Sequence, residues 1–129
     1  MGKWAHDDVL DALLNEIADN VTRLFVCSSQ PTTYQEASAD FMLAEKTLTP
    51  GNGNGVFTNA DGDSSGRKST VAAQAIAAAS ASGTATHIAL ADSANSKLLY
   101  VTTTGSNYSV TSGQPVNVNA FKITVPDPT

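Results

Sequence analysis

The chain has 129 residues, carries a formal net charge of −5 and is only 15% charged. That length bounds one domain with one core, and its lone adjacent cationic pair, Arg67-Lys68, argues against a nucleic-acid surface, where phosphates demand clustered cations. No run approaches the ~20 apolar residues of a bilayer span, and a single cysteine, Cys27, excludes an internal disulfide.

Residues 1–8 read as an N-terminal arm. They lack the apolar centre of a secretory signal, so the expectation is a protein made and folded in a cytoplasm. The sequons at 20–22 and 107–109 are then chance matches. Trp4 is the only tryptophan; it either anchors the arm to a partner or staples the following helix onto its own sheet. The interface expected at this end comprises Trp4, His6, Val9 and Leu13.

The spacing of Val9, Leu10, Leu13, Leu14 and Ile17 predicts an amphipathic helix from Asp7 to Asp19, with residues 9–19 behind the arm. Asp7 and Asp8 stand where a cap and a dipole partner belong, while Asp11, Asn15, Glu16 and Asp19 are expected to face away. Asn20, Val21 and Thr22 end it. Residues 23–28 follow as a strand whose unbroken apolar run, Leu24 to Cys27, predicts burial on both faces. Cys27 reads there as a small buried hydrophobe.

Pro31 marks a loop, and 34–46 stays open between a helical turn, a strand and a second short helix. Residues 49–66 read as a Gly/Asn-rich loop whose glycines supply turns with φ > 0. Within it Asn59, Asp61 and Asp63 have the alternate spacing of a Ca²⁺ loop, but Ser64 and Thr70 stand where that pattern needs Gly and Glu. They are weak metal candidates, and no cofactor is expected. The pair Arg67-Lys68 reads as a solvated turn. Residues 68–81 are Ala-rich, which favours a helix by propensity. Flanking Gly66 and Gly83, and the β pattern that follows, favour a strand, which is the reading taken.

Residues 83–127 carry the clearest pattern: strands at 84–91, 97–104 and 116–125, each bounded by turn-forming residues. His87 reads as a half-buried sheet residue. Along the last strand the apolar alternation Val116, Val118, Ala120 changes phase to Phe121, Ile123, Val125, which predicts either a bulge or a crossing from one sheet to another. The fold class expected is mainly β: an antiparallel β-sandwich over 22–125 with one N-terminal amphipathic α-helix, in a single domain of 1–129. One Cys and two distant His residues supply no local zinc spacing, and no nucleophile stands beside a recognisable base, so no enzyme is expected.

Several motifs taken together carry a resemblance: Cys27-Ser28, Pro31-Thr32-Thr33-Tyr34, Gly66-Arg67-Lys68, Ala85-Thr86-His87-Ile88-Ala89-Leu90, and the ending from Val110 to Pro128. In this order the chain resembles a family of small tailed-bacteriophage virion proteins, the phage structural, head-fibre or tail-fibre-like proteins. The Ala-rich run and the 51–66 loop depart from that pattern. The resemblance implies a virion component, most simply a capsid decoration (cement) protein. Its partners would be the major capsid protein or other virion proteins, it would form a homo-oligomer with a trimer favoured, and it would bind neither nucleic acid nor membrane. A neck, tail or fibre appendage is the rival within that class. Outside it stands a sugar- or Ca²⁺-binding β module using Asn59, Asp61 and Asp63 with exposed Tyr34, Tyr100 or Tyr108.

Overall fold

The computed structural model describes residues 5–51, 53 and 55–126. Trp4 lies outside them. The fold class is the expected one: mainly β, with every pairing between strands antiparallel, and one N-terminal helix. Two compact units divide the chain. The first draws on Met1–Asn20, Thr49–Ala73 and Asn119–Thr129, the second on Val21–Leu48 and Gln74–Val118.

The first unit is a helix on a three-stranded sheet. Helix α1 (Asp7–Asn20) packs over β3 (Phe57–Asp61), β4 (Arg67–Val71) and β9 (Phe121–Val125), with β4 central. The register puts Phe57, Val71 and Phe121 in one row, Asn59, Ser69 and Ile123 in the next, and Asp61, Arg67 and Val125 in the third. Alternation places all nine on one face, and that face meets the helix. Leu10, Leu14 and Ala18 are the buried residues of α1.

Two polar helix residues expected to face away are turned to the sheet instead. Arg67 Nε donates to Asp11 Oδ1 at 2.8 Å and Nη2 to Oδ2 at 3.2 Å, while Asn59 Nδ2 donates to Asn15 Oδ1 at 2.8 Å. Arg67 is therefore a half-buried clamp, not part of a solvated turn. A bidentate carboxylate pair satisfies the guanidinium where water is scarce.

The cap also differs from expectation. His6 starts the helix: its carbonyl accepts the Val9 N–H at 2.9 Å, and its Nδ1 accepts the Asp8 N–H at 3.0 Å. Asp7 and Asp8 lie inside the first turn, where they favour the helix dipole. At the other end the Gly51 N–H donates to Ala18 O at 2.7 Å, closing a carbonyl the helix leaves open.

The segment read as one loop over 49–66 contains strand β3. Its glycines do supply positive φ, at Gly51, Gly53, Gly55 and Gly66. At Gly66, which closes the β3–β4 turn, an added Cβ would collide with the Val125 carbonyl oxygen on β9.

The second unit holds the sheet β2-β1-β6-β7, built from β2 (Met42–Thr47), β1 (Arg23–Cys27), β6 (Gly83–Asp92) and β7 (Lys97–Val110). A two-stranded sheet pairs β5 (Gln74–Ile76) with β8 (Val116–Val118). Leu24 to Cys27 are buried on both faces, as the apolar run predicts. Phe25, Cys27, Ala37, Ala89 and Ala91 form a core cluster, against which Tyr34, Phe41, Met42, Leu98 and Val101 pack. Phe25 and Tyr34 meet edge to face, with ring centroids 6.2 Å apart. The open stretch 34–46 resolves into a single π-helical turn (Glu36–Asp40) and β2.

The Ala-rich segment is strand only in part: β4 ends at Val71 and pairs in the first unit, the three residues of β5 pair in the second, and 72–73 and 77–81 lie outside any strand. The phase change at Ala120 and Phe121 is a crossing between sheets, because β8 pairs with β5 and β9 with β4.

Gly66→Ala tests the turn. The left-handed backbone and the collision at Val125 should together cost on the order of 1–3 kcal/mol, read as a lower denaturation midpoint with an unchanged m-value. Wild-type stability in this variant would show that the β3–β4 turn does not need a left-handed residue.

Candidate functional site

A concavity in the second unit is made by a mismatch between two strands. On β6, Ala85 pairs with Tyr108 and His87 with Thr103. One residue of β6, Thr86, thus stands against Thr104, Gly105, Ser106 and Asn107 of β7. The surplus must leave the ladder, and the sequence lets it do so. Gly105 takes φ of 85°, and Thr104 Oγ1 lies 3.0 Å from Ser106 O and 3.3 Å from Thr86 O, so the excursion is tied back to the sheet.

The opposite wall is the turn after β1. The Ser28 N–H donates to Phe41 O at 3.0 Å. Beyond it Thr33 Oγ1 accepts the Glu36 N–H, while Glu36 Oε1 accepts from both the Thr32 N–H and the Thr32 hydroxyl. The bonds differ from a capping box, since Glu36 reaches Thr32 rather than the Thr33 that accepts its N–H, but together they hold the turn in place. The Thr32 hydroxyl and N–H keep the Glu36 carboxyl below its usual range. Between the two walls is an open cleft of about 510 Å³, reached by Ser28, Ser29 and Gln30 on one side and by Thr103 and Asn107 on the other. Thr86 and His87 lie in its floor, with Thr86 Oγ1 2.8 Å from His87 Nδ1. His87 is half-buried and bonded within the sheet, as its position predicts.

The residues singled out as metal candidates are placed otherwise. Asn59 and Asp61 lie on the helix-covered face of the first unit, bonded to Asn15 and Arg67. Asp63 instead meets Lys68 and Lys122, whose positions in the register put them on the other face. The three do not converge. Among the described residues no group of three or more His, Cys, Asp or Glu could hold a metal ion. The bond from Lys122, with that from Lys68, holds the Asp63 carboxyl down at about 2. Tyr34, Tyr100 and Tyr108 belong to the other unit and are half-buried rather than exposed. Burial raises the Tyr108 phenol above its ordinary range, and burial pushes the Cys27 thiol up to about 12, which makes it an inert core atom rather than a nucleophile.

Of the expected interface residues, His6 is spent in part on the cap, whereas Val9 and Leu13 stay 59% and 57% exposed. They stand four apart along the outer edge of the helix's apolar stripe, beside the buried Leu10 and Leu14. Exposed Glu16 stands three residues on from Leu13, and Asp7, Asp8 and Asp19 are exposed elsewhere on the same helix.

Comparison of the chain with protein-family models, with curated proteins and with solved structures finds no match in any of the three.

Asp63 gives a test in pH. A carboxyl depressed from 3.8 to about 2 contributes stability that is fully present above its unfolded value and is lost as pH falls through the folded one. Wild-type stability should therefore decline between about pH 4 and about pH 2, and Asp63→Asn should flatten that part of the profile. Identical slopes for the two proteins would show that the Lys68–Asp63–Lys122 link adds nothing to folding.

Proposed function

We propose that this chain is a structural component of a tailed-bacteriophage particle, a capsid decoration protein that lies over the head shell and stabilises it. The observation that carries the reading is the outward pair Val9 and Leu13. The sheet covers Leu10 and Leu14 of the helix's apolar stripe and leaves its outer edge, Val9 and Leu13, as apolar surface that a partner would bury. Burying two such side chains contributes roughly 1.5–3 kcal/mol each. That is small for one copy and large when a symmetric shell repeats it.

Other features are consistent with this reading. The low charge and the abundance of Thr, Ser and Ala suit a surface that packs against neighbours. The motifs from Cys27-Ser28 to the Val110–Pro128 ending resemble those of phage virion proteins. A trimer at three-fold positions would match the symmetry of a shell. The major capsid protein is the partner this geometry would suit, through an apolar groove with a basic rim.

The test is particle binding by the double variant Val9→Gln, Leu13→Gln. Both residues are exposed, so stability should shift by no more than about 0.5 kcal/mol, while binding to particles that lack the protein should be lost. Unchanged binding by the variant would remove the helix from the interface. Copy number in purified particles separates the two virion readings: a number in proportion to the shell's subunits means decoration, and one small ring's worth means a neck or tail appendage.

A further inference from the structure

The lining of the cleft beside the β7 excursion restricts what it could take. No Asp, Glu, Lys or Arg lines it, so neither an anion nor a metal ion finds a counter-charge. No aliphatic side chain and no aromatic ring except the His87 imidazole lines it either, so a planar or apolar ligand finds no face to pack on. What the walls offer is neutral hydrogen bonding at high density. The side chains of Ser28, Ser29, Gln30, Thr103 and Asn107 make no hydrogen bond to any described residue. His87 spends Nδ1 on Thr86 and has Nε2 uncommitted among those residues.

We propose that this cleft binds a neutral, polyhydroxylated ligand: one or two pyranose units of a glycan. Each hydroxyl of a sugar is both donor and acceptor, which matches serine and threonine hydroxyls, and a carboxamide can bridge two adjacent hydroxyls by donating to one and accepting from the other. The volume of about 510 Å³ lies within the range of small-ligand sites. The cleft is open, so water competes for every contact, and the affinity of one site is on the order of millimolar. Repetition of the chain on a multivalent support would raise it. The walls are preorganised: the Thr32, Thr33 and Glu36 bonds fix one and the Thr104 hydroxyl fixes the other, so binding need not order a loop. This site shares no residue with the Asn59, Asp61 and Asp63 set, and its occupancy does not depend on the virion reading.

The experiment is an amide NMR titration of the full chain with glucose, galactose, N-acetylglucosamine and lactose, with glycerol as the control for a polyol of no defined shape. Saturable shifts confined to residues 28–30, 86–87 and 103–107 are expected with at least one saccharide and not with glycerol. Asn107→Ala and Gln30→Ala should each weaken that binding by about tenfold, the loss of one or two hydrogen bonds. Both side chains are exposed, so melting temperature should be unchanged. The proposal is overturned if no saccharide gives saturable shifts, if the shifts map elsewhere, if glycerol reproduces them, or if the folded Asn107→Ala and Gln30→Ala proteins bind as tightly as wild type. Because no particle is used, failure here leaves the decoration reading standing, and failure there leaves this one.

Discussion

Strand β1 is hydrogen-bonded along both edges, to β2 and to β6, and is buried on both faces from Leu24 to Cys27. Neither enclosure is optional. A buried backbone group without a partner costs about 1–3 kcal/mol, and four consecutive apolar side chains need cover on two sides. The small residues opposite β1 follow from this. Ala44 on β2, opposite Val26, and Ala89 on β6, opposite Phe25, leave room on the sheet faces for those larger side chains. The hairpin that carries β6 away is then closed tightly: the Asp92 carboxylate accepts from both the backbone and the side chain of Asn95, and Ser96 takes φ of 53°. A strand held this rigidly gives the cleft a fixed base, because the Ser28 to Gln30 wall is simply where β1 runs out.

The first unit solves a different problem. Its sheet is only three strands wide, and the middle row beneath the helix is Asn59, Ser69 and Ile123. Polar groups under a helix have to be answered from the helix, and Asp11 and Asn15 do so for Arg67 and Asn59. The Ser69 hydroxyl is the residue of that arrangement: it is buried, and no described residue bonds to it. Helix register is thereby set by directional bonds as well as by Leu10 and Leu14, since a rotation that improved apolar contact would break the bidentate Arg67 pair. This fixes which side chains point outward, and so Val9 and Leu13 are presented in one orientation.

Much of the fold was legible in the chain. The doubly buried β1 could be read from Leu24-Phe25-Val26-Cys27, the helix from its 3.6-residue stripe, and the sheet crossing from a one-residue phase change at Phe121. What could not be read was pairing over distance. Asp11 and Asn15 occupy helical positions that solvent-facing residues usually hold, and only Arg67, 56 positions away, gives Asp11 a reason to turn inward. Strand β3 was hidden because Asn59 and Asp61 are poor strand formers, and β4 supplies the partner that overrides propensity. The cleft was illegible for the same reason. Gly105-Ser106-Asn107 looks like the end of a strand, whereas it is an interruption after which pairing resumes at Tyr108; only the length of β6 on the other side reveals it. His87 could be assigned correctly as a sheet residue without any hint that the sheet opens beside it.

The division of the chain has a consequence for how it folds. Each unit is closed by segments far apart in sequence: the first needs the helix, the β3–β4 hairpin and β9 together, and the second is complete only when β8 reaches β5. Sequence-distant pairing of this kind raises contact order, which slows folding because loop closure precedes its reward. During synthesis α1 is made before β9 and must wait for it. For that whole interval its entire apolar stripe is bare, Leu10 and Leu14 together with Val9 and Leu13. The same helix that leaves only Val9 and Leu13 uncovered when folded therefore exposes a wider apolar surface before β9 arrives, with five carboxylates, Asp7, Asp8, Asp11, Glu16 and Asp19, spaced along it to oppose association of early chains.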